Sequence, residues 1–133
     1  MIIEKMFLED LLSIDKLHYR EIKIINDLYE LTLREEKDKI DAKLDALVAD
    51  VEYHFESEEK RMFEYHYPEA NKHQYAHECA LQQLYAARDT WKANKDVCLL
   101  KTYIETKLCP WLNGHMMSMD KMACDFLVKA GSN

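Results

Sequence analysis

Residues that break helices are nearly missing from this chain. Two glycines, Gly114 and Gly131, and two prolines, Pro68 and Pro110, are all that 133 residues contain. A fold of short strands and tight turns needs more of both, so the composition argues for helices. Positive charge is also short: 18 Lys and Arg stand against 25 Asp and Glu, a net charge of -7. That balance excludes nucleic acid as a natural partner. No apolar run is long enough to span a membrane. The four cysteines (Cys79, Cys98, Cys109 and Cys124) form no CxxC pair. Set in helical segments, they read as small reduced hydrophobes of a cytoplasmic protein. The stretch from Met1 to Leu12 carries Glu4, Glu9 and Asp10, which is not the pattern of a signal peptide. There is no internal repeat, linker or low-complexity segment, and a chain of this length is expected to form one domain over residues 1–133.

What is present is amphipathic periodicity, with hydrophobic residues at 48%, enough to build a core. Four helices are predicted, over about 8–33, 36–65, 69–91 and 96–128. The first has the seam Leu11, Ile14, His18, Glu21, Ile25 and Leu28, spaced alternately three and four apart as a bundle requires. The second has Ile40, Leu44, Leu47, Val51, His54, Glu58 and Met62. The third has His73, His77, Ala80, Leu84, Ala87 and Trp91. The fourth has Ile104, Leu108, Trp111, His115, Met119, Met122 and Phe126. Between the second and third, His66 and Pro68 mark the turn, with His66 read as a cap. Asn94 marks the next turn. Pro110 lies inside the fourth helix and should kink it or break its hydrogen bonds. Short connections make consecutive helices antiparallel, so the expected fold is all-α, an up-down-up-down antiparallel four-helix bundle.

Five of the six histidines and three carboxylates fall on seams that should be apolar: His18, Glu21, His54, Glu58, His73, His77, His115 and Asp120. Each unpaired polar group in a core costs several kcal/mol. The antiparallel order brings all of these positions to one level of the bundle, so a shared metal site would satisfy them. His54 and Glu58 are four apart, as are His73 and His77, and so share a helix face. Either pair alone is a weak signal, more often ordinary core or surface. Together, five imidazoles and two or three carboxylates exceed one tetrahedral zinc site and suit two ions with bridging carboxylates. Imidazole favours zinc, copper, iron or nickel over magnesium or calcium, and carboxylate bridges in a bundle suggest di-iron or di-manganese chemistry. His115 and Asp120 resist this picture. They are five apart, about 140° around an ideal helix. Either they serve different ions, or the helix is locally widened there.

These motifs resemble the hemerythrin family, most closely its small bacterial members, the bacteriohemerythrins. They stand here as Ile14-Asp15-Lys16-Leu17-His18, His54-Phe55-Glu56-Ser57-Glu58, His73-Gln74-Tyr75-Ala76-His77 and His115-Met116-Met117-Ser118-Met119-Asp120. Phe55, Glu59, Met62, Tyr65, Tyr67, Pro68, Trp111, Leu112 and Lys121 also match, and the likeness runs from about Ile14 to Phe126. The resemblance implies a non-haem centre of two Fe ions with an oxo or hydroxo bridge. One iron would take His73, His77 and His115, and the other His18 and His54, with Glu58 and Asp120 bridging. The second iron would be one ligand short and would bind O2 there, or peroxide or a small anion. Phe55, Met62, Trp111, Leu112 and Met116 would line a dry pocket; read without the resemblance, they are plain core.

The sequence departs from the family pattern at four places. Glu21 stands where Leu or Ile is usual, three residues after the first histidine. It either tilts to solvent or pairs with a nearby Lys or Arg such as Lys23 or Arg20, or else reaches the open position as an extra ligand or a proton donor. Leu17 replaces a frequent Gln and removes a possible hydrogen bond to the site. Pro110 stands just before Trp111, where the family helix runs on, and His66 stands where Gly is common. The function implied is non-enzymatic O2 binding for storage, delivery or scavenging. The alternatives are a di-iron peroxidase or oxidase, favoured by Glu21, and an O2 or redox sensor read by an unknown protein partner.

Overall fold

The computed structural model describes residues 16–131. The expected opening of the first helix from Leu8, with Leu11, Ile14 and Asp15, lies outside the described residues, as does the Leu17 side chain. Four helices follow: α1 (Lys16–Leu33), α2 (Lys37–Glu64), α3 (Ala70–Asn94) and α4, which covers residues 97–129. No strand occurs among the described residues, and none of their helices is long and apolar enough to cross a membrane. α1 packs on α2 and on the start of α4, and α3 does the same from the other side. With short turns between them, the helices alternate in direction and close a four-helix bundle.

Glycine is scarce, so other residues take the left-handed turn positions. Glu35, His66 and Lys95 adopt φ of 53°, 57° and 52° at the three junctions. At the α2–α3 turn, the Tyr67 N–H donates back to the Met62 carbonyl at 2.9 Å, which places His66 in the cap position expected for it. Asn94 supports the next turn by accepting from the Asp96 N–H at 2.9 Å, and Asp96 caps α4 by accepting from the Leu99 N–H at 3.1 Å.

The apolar residues form two clusters with the polar level between them. The larger runs from Ile25 and Leu28 through Leu44, Leu47 and Phe55 to Leu84, Trp91, Leu112 and Met116. The smaller holds Met62, Tyr67, Ala70, Ala123 and Leu127. The α2 seam is buried along its whole expected length, from Ile40 to Met62.

α4 departs from regular geometry twice, with widened π-type turns at Ile104–Leu108 and Met116–Asp120. Ahead of Pro110, the Cys109 N–H donates to the Ile104 carbonyl, five residues back, and the helix runs on through the proline, which has no N–H to give. Each widened turn takes up one extra residue and so moves the buried face on by one. The expected seam is therefore corrected beyond His115. Met122 is 58% exposed, while Asp120, Ala123 and Leu127 face inward.

Candidate metal centre

The seven residues expected as ligands all come together between the two apolar clusters. α1 contributes His18, α2 contributes His54 and Glu58, α3 contributes His73 and His77, and α4 contributes His115 and Asp120. All seven are buried. Their ligand atoms fall into two overlapping groups, each with its atoms within 4.8 Å of one another. Glu58, His73, His77, His115 and Asp120 make one, and His18, His54, Glu58 and Asp120 the other. Glu58 and Asp120 belong to both. The widened turn at Met116–Asp120 lets Asp120 share a face with His115, so the two lie 2.9 Å apart, Nε2 to Oδ1. Of the two possibilities left open by the five-residue spacing, the local widening is the one found.

The contacts among these atoms are those of donors converging on a cation. Nε2 of His73 lies 2.9 Å from Nε2 of His115, and each lies 2.9 Å from Oδ1 of Asp120. Adjacent donors around an octahedral ion at about 2.1 Å would stand about 3 Å apart. Glu58 Oε1 sits 2.8 Å from His73 Nε2 and 3.3 Å from His77 Nε2, yet has no aligned hydrogen bond. Nε2 of His54 and Nε2 of His77 are likewise buried without a hydrogen-bond partner. Buried polar atoms left this way are costly, and imidazole nitrogens beside carboxylate oxygens are the donor set of a transition metal. The residues fit two metal ions.

The electrostatics agree. Burial alone would push His54 down, but the Glu21 and Glu58 carboxylates hold it well above the ordinary imidazole range. Against the same desolvation, Asp120 and Glu58 raise His73 to about 9. Burial lowers His115, with His77 and His73 adding to the effect against Asp120. Glu58 would be raised by burial, but His54, His73 and His77 keep it well below the carboxylate range. Burial and Glu58 both push Asp120 up, and His115, His18 and His73 outweigh them. Two ionised carboxylates thus hold protons on His54 and His73. Metal ions would replace those protons as the positive charge.

Two further carboxylates touch the outer side of the cluster. His77 Nδ1 donates to Glu59 Oε2 at 2.8 Å, and the Gln74 amide donates to the other oxygen of Glu59 at 3.1 Å. His54 Nδ1 donates to Glu21 Oε2 at 2.6 Å. An ionised carboxylate only accepts, so Nδ1 of each ring carries a proton and Nε2 is left for a metal.

This contact overturns the solvent-facing reading of Glu21 and its pairing with Arg20. Glu21 is 2% exposed, so it does not tilt to solvent. Arg20 is bound to Asp50 instead, Nε to Oδ1 at 2.6 Å. Nor does Glu21 reach for an open metal position, because its carboxylate lies on the ring nitrogen of His54 that faces away from Glu58. Sequence reasoning missed the part played by Glu59, which stood only as a matching residue. Its signal was its place directly after Glu58, on the side of α2 that meets α3.

The residues expected to line a dry pocket are mostly grouped. Phe55 stacks on His77 (centroids 3.8 Å apart, planes at 3°), and Trp111 stacks on His115 (4.4 Å, 15°). Leu112 and Met116 are buried beside them in the larger cluster. Met62 is the exception: it packs with Tyr67, Ala70, Ala123 and Leu127 in the smaller cluster, apart from the other four.

Comparison with known proteins agrees with this geometry. The family model described as the hemerythrin HHE cation binding domain matches residues 13–126. The chain is also 28% identical over 109 residues to a protein named bacteriohemerythrin from Aquifex aeolicus (strain VF5), covering 82% of this chain and 83% of that one.

Proposed function

The chain belongs to the hemerythrin family, and from that premise we propose that it holds two iron ions and binds O2 at the ion with fewer protein ligands, for storage, delivery or scavenging. The observation that carries this reading is the inequality of the two ligand groups: three imidazoles in one and two in the other, sharing Glu58 and Asp120. His73, His77 and His115 would hold one ion, His18 and His54 the other, with Glu58 and Asp120 between them. When bound, such a pair supplies two electrons to O2 and takes them back on release. The protein's own part is to fix five imidazoles and to keep water out. Phe55, Leu112 and Met116 wall the centre with apolar surface, and the half-buried Trp111 covers His115. We place this function in the cytoplasm, in keeping with four cysteines that form no CxxC pair.

The test is iron content together with visible spectra of the reduced protein before and after air. The expected result is two irons per chain and a coloured adduct that bleaches when O2 is removed. No iron, or one zinc per chain, would overturn the proposal.

A further inference from the structure

Glu21 is a buried carboxylate with no ion of its own to bind. Its side chain is 3% exposed and that of His54 is 1% exposed. Among the described residues, its one hydrogen-bonding partner is the Nδ1–H of His54. The nearest guanidinium in sequence, that of Arg20, is committed to Asp50. Taking a carboxylate out of water costs several kcal/mol unless it is compensated, so its position calls for an electrostatic reason.

The counterpart at the other group is weaker. Glu59 supports His77 in the same way, but its side chain is 19% exposed and its second oxygen accepts from Gln74. Water and the amide share its charge. The charge of Glu21 falls on one imidazole in a dry setting, where the hydrogen bond is strongest. The better-supported imidazole thus belongs to the group that has fewer of them.

Resting on the two-metal reading above, we propose that Glu21 is the positioning residue of His54, making that imidazole a stronger donor and so offsetting the missing third histidine without occupying a metal position. A carboxylate on the outer nitrogen fixes the tautomer and ring orientation and raises ligand basicity. The ion held by His18 and His54 is thereby retained more tightly and drawn toward its oxidised state, while its open side stays open.

The experiment uses the full chain loaded anaerobically with two Fe(II), challenged with excess chelator, with reduction potentials measured in parallel. Wild-type protein should release iron in two phases of equal amplitude. Glu21→Leu should speed one phase about 10- to 100-fold and leave the other unchanged, and the potential of one iron should rise. Glu21→Gln keeps an acceptor for the Nδ1–H but removes the charge, so it should recover most of the retention while the potential stays raised. Because Gln has nearly the shape of Glu, it also carries the test if the Leu variant fails to fold. His54→Ala should remove one phase altogether and so identifies the subsite. If both Glu21 variants match wild type in release and potential while His54→Ala loses its phase, the proposal is overturned. If wild-type protein never binds two irons, it is the two-metal reading that has failed.

Discussion

The two halves of the polar level are built from the same residue types by different means. On the α3–α4 side, three imidazoles converge, backed by stacked Phe55 and Trp111 and by a partly solvated Glu59. On the α1–α2 side there are only two imidazoles, and the support is the fully enclosed Glu21. On the proposed reading, one half would gain its hold from the number of ligands, the other from the quality of one ligand's outer hydrogen bond. The shared carboxylates, Glu58 and Asp120, tie the halves together. On the proposed reading, a site built this way would hold two ions and still leave one of them with room for a small molecule.

The largest effects should come from breaking what the halves share. Asp120 lies within 2.9 Å of imidazoles from α1, α3 and α4. Asp120→Ala should therefore reduce metal content from two ions toward none after dialysis against chelator. His54→Ala should stop near one. If His54→Ala empties the centre as completely as Asp120→Ala, the halves are not separable and the comparison fails. Metal content by elemental analysis decides it.

Removing the metals from wild-type protein should come next in size. Anything bound to the folded state alone stabilises it by RT ln(1 + [L]/Kd), about 4 kcal/mol at a thousand-fold excess over Kd. The metal-free protein should melt at clearly lower temperature, and His54→Ala should retain part of the metal-induced shift. Calorimetry with and without metal measures both, and equal melting temperatures for the metal-free and loaded protein would contradict it.

Much of this arrangement was legible in the sequence, and the exceptions have physical causes. Three-four spacing gave the α2 seam from Ile40 to Met62 because that helix is regular and its face does not drift. The same reasoning failed at Met122, because the widened turns of α4 each consume a residue; Pro110 marks the first and the His115–Asp120 spacing points to the second, but the expected seam beyond it keeps regular spacing. The candidate ligands could be seen as polar residues in apolar positions. The role of Glu21 could not, since whether a seam carboxylate points at a metal, a ring or solvent depends on the register between α1 and α2. That register is set by long-range packing, which no single-helix pattern contains.

The register of α4 is what lets Asp120 serve both halves, and it can be tested by stability alone. Leu127 is 4% exposed in the smaller cluster and Met122 is 58% exposed. Leu127→Ala should cost about 2–4 kcal/mol, whereas Met122→Ala should change stability by less than about 0.5 kcal/mol. An unwidened helix, with Met122 inward, predicts the reverse order. Urea unfolding of the two variants distinguishes them.

The smallest effect serves as a control far from both halves. Glu35 holds φ at 53° in the turn between α1 and α2, where its N–H donates to Thr32 and that of Glu36 donates to Leu31. A non-glycine residue pays roughly 1–2 kcal/mol for left-handed geometry, and glycine gives back part of that gain through its freer unfolded chain. Glu35→Gly should therefore raise stability by about 0.5–1 kcal/mol, a few degrees in melting temperature. Iron content and both release phases should not move, because neither ligand group includes this turn. If the variant changed only one phase, retention at that subsite would follow the stability of the α1–α2 junction and not the hydrogen bond of Glu21. The contrast between the two halves would then be one of local rigidity.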